Sequence, residues 1–182
     1  DKLIEARVST GDNDILLGTR NGKSIRFSEE QIRPSGRKTM GVKGITLSSE
    51  DDRLVGMLLI KREGTTVLVA TEKGFGKRTE ISQYRAQKRG GKGVLTMKTT
   101  DKVGKMVTIK EVVDKDDLMI ITNQGVLIRQ PVSQIRAIGR ATQGVKLIKL
   151  GEGTLVSSIT RIMTEEDSGD DNNSTEPKGN TE

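Results

Sequence analysis

The sequence predicts an all-β chain, an array of short four-stranded units of which about three are present. Three observations carry that expectation: a repeat of about fifty residues, a core of β-branched side chains, and apolar runs that glycine turns break too often for helices. Ile and Val together number 30 of the 182 residues, whereas Trp is absent and Phe and Tyr total three. Such side chains suit a pleated surface better than a helix.

The repeat is anchored on one glycine. Thr19-Arg20-Asn21-Gly22, Thr71-Glu72-Lys73-Gly74 and Thr122-Asn123-Gln124-Gly125 align, with spacings of 52 and 51 between the glycines. Counting forward without gaps, Arg26, Arg78 and Arg129 stand at plus four and Gln31, Gln83 and Gln134 at plus nine. Arg33, Arg85 and Arg136 follow at plus eleven, Arg37, Arg89 and Arg140 at plus fifteen, and the pairs Gly41-Val42, Gly93-Val94 and Gly144-Val145 from plus nineteen.

Each unit reads as four strands. A first apolar run (15–18, 67–70, 118–121) enters a polar turn that ends in the shared glycine, a residue free to take positive φ. The second strand runs through the arginine at plus four, and a basic loop follows. The third begins at the Gly-Val pair (42–47, 94–97, 145–150) and the fourth occupies 54–60, 106–113 and 155–163, behind charged turns such as Glu50-Asp51-Asp52. Four strands in about fifty residues make a propeller-type blade.

The expected blades are therefore 15–66, 67–117 and 118–163. Asp1-Lys2-Leu3-Ile4 matches Asp52-Arg53-Leu54-Val55 at a spacing of 51, so 1–14 is expected to be the last strand of a truncated preceding blade, and the chain the C-terminal portion of a larger array. The segment 164–182, rich in Asp, Asn, Ser and Gly, is expected to be a disordered acidic tail.

Composition removes many chemistries. The chain has no Cys and no His, which excludes disulfides, thiolate and imidazole metal sites, cysteine nucleophiles and any triad with a His base. No apolar run approaches the roughly 20 residues of a membrane helix, so no membrane partner is expected. The lack of Cys fits a reducing cytoplasm.

Charge is unevenly placed. Residues 164–182 hold seven acids and one base, a net of −6, which leaves 1–163 at +12 against +6 for the whole chain. A polyanionic partner is the first function such a balance raises. The alternative is that Lys and Arg merely solvate exposed faces.

The cations concentrate in the loop after the second strand. In the second repeat it reads Tyr84-Arg85-Ala86-Gln87-Lys88-Arg89-Gly90-Gly91-Lys92-Gly93. Lys88, Arg89 and Lys92 put three charges within five residues, and Gly90, Gly91 and Gly93 remove side chains that would hold backbone amides away from a phosphate. Such a loop suits phosphate contact without base reading. Its equivalents supply Arg33, Arg37, Lys38 and Lys43 in the first repeat and Arg136, Arg140 and Lys146 in the third. In register, they form one basic stripe.

The segment QKRGGKG, Gln87 to Gly93, resembles the seven-residue box of the C-terminal domain of the DNA gyrase A protein. The T-x-x-G turns, KGFGKRTEISQY, GRATQGVKLIKL and the acidic tail are similar to that domain as well, over essentially 1–163. The resemblance implies a six-bladed β-pinwheel, a propeller-like array whose neighbouring blades exchange strands and whose basic rim bends double-stranded DNA. It implies, too, that Gln87, Lys88, Arg89, Gly90, Gly91, Lys92 and Gly93 are the wrapping element. It further implies a bacterial cytoplasmic, nucleoid-associated A2B2 assembly formed with the gyrase B protein and the rest of gyrase A, which negatively supercoils DNA with ATP and Mg2+ used elsewhere in the enzyme. No cofactor and no catalysis are expected of this chain. One departure stands out: the family's principal box lies in the first blade, yet here a full repeat precedes it.

Other candidates are weaker. Gly90 to Gly93 is not a nucleotide-binding G-x-x-x-x-G-K-[ST] loop, because Lys92 is followed by Gly93. Asp114, Asp116 and Asp117 read as a charged hairpin tip rather than a metal site. Tyr84 shares its position with Ile32 and Ile135 and reads as packing, and Met57, Met106 and Met119 as core filler. Two other functions remain open: the related C-terminal domain of topoisomerase IV, and a propeller-like platform for an acidic protein.

Overall fold

A computed structural model describes residues 2–61 and 64–163; the expected disorder of 164–182 lies outside the described residues. The strands are β1 (Asp14–Thr19), β2 (Lys23–Ser28), β3 (Leu54–Ile60), β4 (Thr66–Thr71), β5 (Phe75–Glu80), β6 (Val94–Leu95), β7 (Met106–Val112), β8 (Asp117–Thr122), β9 (Leu127–Pro131), β10 (Val145–Lys146) and β11 (Val156–Ile162). Short 3-10 turns, Glu29–Gln31, Ile81–Gln83 and Val132–Gln134, follow the second strand of each repeat. Among the described residues no helix is long and apolar enough to cross a membrane.

The T-x-x-G signature is the hairpin turn. The N–H groups of Gly22, Gly74 and Gly125 donate to the carbonyls of Thr19, Thr71 and Thr122 at 3.0–3.1 Å, with the glycines at φ of 84°, 78° and 79°. The Thr hydroxyl holds the exit, accepting from Lys23 N at 3.3 Å in the first turn and from Val126 N at 3.1 Å in the third. Positive φ is needed there because the chain must reverse within two residues.

The sheets cross the sequence repeats. Their orders are β3-β1-β2-β6, β7-β4-β5-β10 and β11-β8-β9, all antiparallel. Thus β6, from the second repeat, completes the sheet of the first, pairing Val94 with Ser24 and Leu95 with Lys23. In the same register β10 completes the second sheet, Val145 opposite Gly76 and Lys146 opposite Phe75. A blade is three strands of one repeat and one of the next.

The sheets stack face to face, and alternation along the strands shows how. In β4, Val67 and Val69 join Leu16, Leu58, Tyr84, Met97, Met106 and Ile109 between the first and second sheets. Leu68 and Ala70, on its other face, join Leu118, Ile120, Val132, Ile135 and Ile159 between the second and third. All six residues of β4 are buried, as a strand covered on both faces requires. Strands β3, β7 and β11 adjoin at the hub, where the backbone of Gly18 and Gly56 lies against Ile109. The hairpin rims with their exchanged strands lie away from it.

Two expectations are corrected. Residues 2–13 form no strand: Leu3 and Ile4 are exposed, and the segment meets the first sheet through the Glu5 carboxylate, which accepts from Met57 N at 2.9 Å. The third strands are shorter than expected, two residues in β6 and β10 and none at 42–47. Segment 42–47 has no preceding β2-type edge among the described residues to pair with, and a strand exists only as half of a ladder.

Candidate nucleic-acid interface

The basic loops form one continuous file, each fastened to its neighbour. After the 3-10 turn, 85–87 runs parallel to β2: Arg26 and Ala86 form a bridge, and Gln87 N donates to Arg26 O at 2.8 Å. Arg78 and Ala137 repeat the bridge in the next blade, with Ile138 N donating to Arg78 O at 2.9 Å. Laterally, Thr46 N donates to Gly91 O at 2.8 Å and Lys98 N to Thr142 O at 3.0 Å, the same repeat positions in both pairs.

The arginine at plus fifteen is the clasp of this file. Arg89 N donates to Gln31 Oε1 (2.7 Å), its Nε to Gln31 O (3.1 Å) and its Nη1 to Lys43 O (2.7 Å). Arg140 repeats it one blade on: its N donates to Gln83 Oε1 at 3.1 Å and its Nη1 to Leu95 O. Both side chains are half-buried. Their cations therefore first hold the loops together and present only part of the guanidinium to solvent. Arg37, in the same position of the first repeat, is exposed.

Arg33, Lys38, Lys43, Arg85, Lys88, Lys92, Arg136 and Lys146 are all exposed, as a phosphate-facing role demands. Gln87 is half-buried and its carbonyl accepts from Gln31 Nε2 at 3.3 Å, so it belongs to the scaffold of the loop. The glycines answer mainly to chain path. Gly90 (φ 81°) donates its N–H to Gly44 O at 2.8 Å, which takes that amide from any phosphate. Gly93 (φ 67°) sits where a Cβ would fall 2.9 Å from the Ser24 carbonyl carbon. Gly91 has no positive φ and lies over Ile25.

Three features were not legible along the chain. Arg26 and Arg78 tie one blade to the next: Arg26 pairs with Asp14 (Nε to Oδ2, 2.7 Å) and donates to Ile81 O and Tyr84 O, while Arg78 pairs with Asp114 and donates to Ile135 O at 2.7 Å. Their threefold recurrence was the available signal. Lys77 is fully buried, its ammonium inside loop 139–142, donating to Gly139 O (2.8 Å), Arg140 O and Thr142 Oγ1 (3.1 Å). Burial, and then the Arg140 charge, push its pKa down to about 8. Ile25 and Ile128 stand at this position in the other repeats, so Lys77 is the odd member of its column. Lys73 and Lys102 border, with Lys146, a cavity of about 440 Å³ floored by Phe75, Ile148 and Leu150.

Tyr84 is buried between the first two sheets, and burial raises its phenol pKa beside Thr79 and Thr96, the setting of a packing residue. The acids at the hairpin tip are held by protein groups: Asp117 pairs with Arg129 at 2.5 Å, Asp114 with Arg78, and Asp116 accepts from Val113 N at 2.9 Å.

This geometry, three blades with basic loops on one rim and two of the blades completed by a strand of the next repeat, has a counterpart among known proteins. The family model of the DNA gyrase C-terminal domain, a beta-propeller, matches residues 13–61, 65–112 and 116–162. The chain belongs to the DNA gyrase C-terminal domain family. The DNA gyrase A protein of Staphylococcus epidermidis (strain ATCC 12228 / FDA PCI 1200) is 48% identical over 168 residues, 92% of this chain and 19% of the relative. That of Staphylococcus aureus (strain NCTC 8325 / PS 47) is 45% identical over all 182 residues, 20% of the relative. The chain thus spans about a fifth of the curated relatives it matches. Among solved structures, a DNA gyrase A C-terminal domain superposes with a TM-score of 0.76 at 25% identity, over 84% of this chain and 51% of the other. The C-terminal domain of DNA topoisomerase IV superposes with a TM-score of 0.81 at 24% identity, over 86% and 49%, a likeness of fold.

Proposed function

We propose that this gyrase C-terminal segment binds duplex DNA without reading sequence and bends it along the file of basic loops, as part of a gyrase A protein. One observation supports the reading above all: the loops of successive blades are hydrogen-bonded edge to edge, so that Arg33, Arg37, Lys38, Lys43, Arg85, Lys88, Lys92, Arg136 and Lys146 share one rim. Bending 20–30 base pairs by 40–90° costs on the order of 1–6 kcal/mol, a load that several spaced phosphate contacts can carry and a single loop cannot. The file offers exposed Lys and Arg side chains on loops, the groups that contact phosphates, so affinity comes from the backbone of the duplex.

In the whole enzyme this rim would feed DNA to a cleavage core elsewhere in gyrase A, with gyrase B supplying ATP-driven strand passage in a bacterial cytoplasmic A2B2 assembly. The 45–48% identity to gyrase A proteins favours gyrase over topoisomerase IV.

The test is the salt dependence of binding to a duplex. Each neutralised phosphate contributes a slope of about −0.9 in log K against log salt, so Lys88→Ala with Lys92→Ala should shrink the slope by about two such increments and by the same amount on a scrambled duplex. An unchanged slope would overturn the reading.

A further inference from the structure

Lys77 carries a buried charge that no acid neutralises. Its ammonium enters loop 139–142 from beneath and is held there by carbonyl and hydroxyl oxygens alone, Gly139 O at 2.8 Å, Arg140 O and Thr142 Oγ1 at 3.1 Å. The ionisable residues on the segments packed around it are Arg140 in the loop, Lys98, whose N–H donates to Thr142 O, Lys146 on β10 and the buried Tyr84. Among the described residues no carboxylate pairs with it. A desolvated cation beside further cations favours an anion close by.

The loop turns free donors away from that ammonium. Every described peptide is trans, so the N–H and C=O of one peptide point opposite ways. Arg140 O faces Lys77, which sends the Ala141 N–H outward. Thr142 O lies 3.5 Å from Lys77 Nζ and accepts from Lys98 N, which does the same for the Gln143 N–H. Neither N–H has an acceptor among the described residues, and both residues are exposed. A Cβ at Gly139 would meet nothing within 4 Å, so the approach is open. The second loop differs at each point. There Gly90, in the position of Ala141, donates to Gly44 O, Ile25 lies below, and Lys88 and Lys92 stand where the third loop has Gly139 and Gln143. The third loop takes its cation from the sheet beneath it.

We infer that loop 139–142 is a phosphate site, the buried Lys77 ammonium supplying the charge and the N–H groups of Ala141 and Gln143 the hydrogen bonds. For its occupant, a backbone phosphate of the duplex, it rests on the wrapping reading; inorganic phosphate is the same chemistry in free form. A phosphate there raises the proton affinity of Lys77, which burial holds at about 8, so binding takes up a proton.

Duplex binding is followed by calorimetry in two buffers of different ionisation enthalpy. The chain has no His and no Cys, so few other groups titrate near pH 8. If occupancy lifts Lys77 by about one unit, wild type should take up roughly half a proton more than Lys77→Ile at about pH 8.5, and lose up to about sevenfold more affinity between about pH 7 and 9.5. Ile is the residue of this column in the other repeats, Ile25 and Ile128. In wild type at lower pH, the amide resonances of Ala141 and Gln143 should move downfield on adding duplex. Repeating this with millimolar inorganic phosphate identifies the source: a response to duplex alone assigns the site to the DNA backbone, and an equal response to both assigns it to phosphate in general. Equal proton uptake in the two proteins, or amides unmoved by either probe, would overturn the inference; should Lys77→Ile not fold, the amides decide. The salt slope of the Lys88 and Lys92 variants reads wrapping separately, so either idea can fail alone.

Discussion

Gly41, Gly93 and Gly144 occupy one repeat position with nearly the same backbone, φ of 74°, 67° and 74°, yet their surroundings differ. A Cβ at Gly41 meets nothing within 4 Å; at Gly144 it would lie 2.6 Å from Gly76 O, and at Gly93 2.9 Å from the Ser24 carbonyl carbon. Alanine at any of the three carries the left-handed penalty of about 1–2 kcal/mol, offset by roughly 0.4–1 kcal/mol from a stiffer unfolded chain. Gly41→Ala should therefore cost about 1 kcal/mol. At Gly93 and Gly144 the exchanged strand must also retreat from the β2 or β5 backbone, an overpacking cost of about 1–3 kcal/mol more. With a urea m-value of about 2 kcal/mol/M, the difference between the variants is a midpoint lower by roughly 0.5–1.5 M. Urea unfolding of the three variants side by side is the assay. If Gly93→Ala and Gly144→Ala unfold where Gly41→Ala does, the glycines are not there for strand exchange. If Gly93→Ala then loses DNA affinity alone, the glycine serves phosphate approach instead.

Other perturbations separate scaffold from contact. Arg89→Ala removes donors to Gln31 O and Lys43 O and should lower stability by about 1–3 kcal/mol in urea, while Lys88→Ala and Lys92→Ala stay within about 0.5 kcal/mol; equal costs would deny the clasp. Lys77 titrates at about 8 folded and 10.5 free, so between these values the unfolded chain binds the extra proton and stability rises with pH, by up to about 3 kcal/mol. Unfolding midpoints of wild type and Lys77→Met at several pH values should show the difference shifting in favour of wild type as pH rises across that window, and parallel curves would refute the buried ammonium. Burial raises the Asp52 pKa, but the Ser48 hydroxyl and the N–H groups of Asn21 and Ser48 outweigh it and hold it below 3.8. That stability is present above about pH 4 and lost as pH falls through the folded value, so Asp52→Asn should cost about 1–2 kcal/mol at neutral pH and flatten the acid limb.

The sequence by itself settled the repeat, its glycine turns, the placement of β3 and the basic character of the loops, because each depends on local rules: period-two apolar runs, positive φ, charge along the chain. It also placed Tyr84 in the core from its column of Ile32 and Ile135. What tertiary structure decided was which repeat each element serves. Val94 and Val145 pair with the preceding blade, and Arg89 and Arg140 bind the neighbouring loop before they face solvent. Gly93 is small because the Ser24 carbonyl of another repeat approaches it, and Lys77 is buried because the carbonyls of loop 139–142 converge on it. These are contacts between residues some 45 to 70 positions apart. A column of identical arginines looks the same whether its charge meets a phosphate or a carbonyl, and only packing in three dimensions tells the two apart.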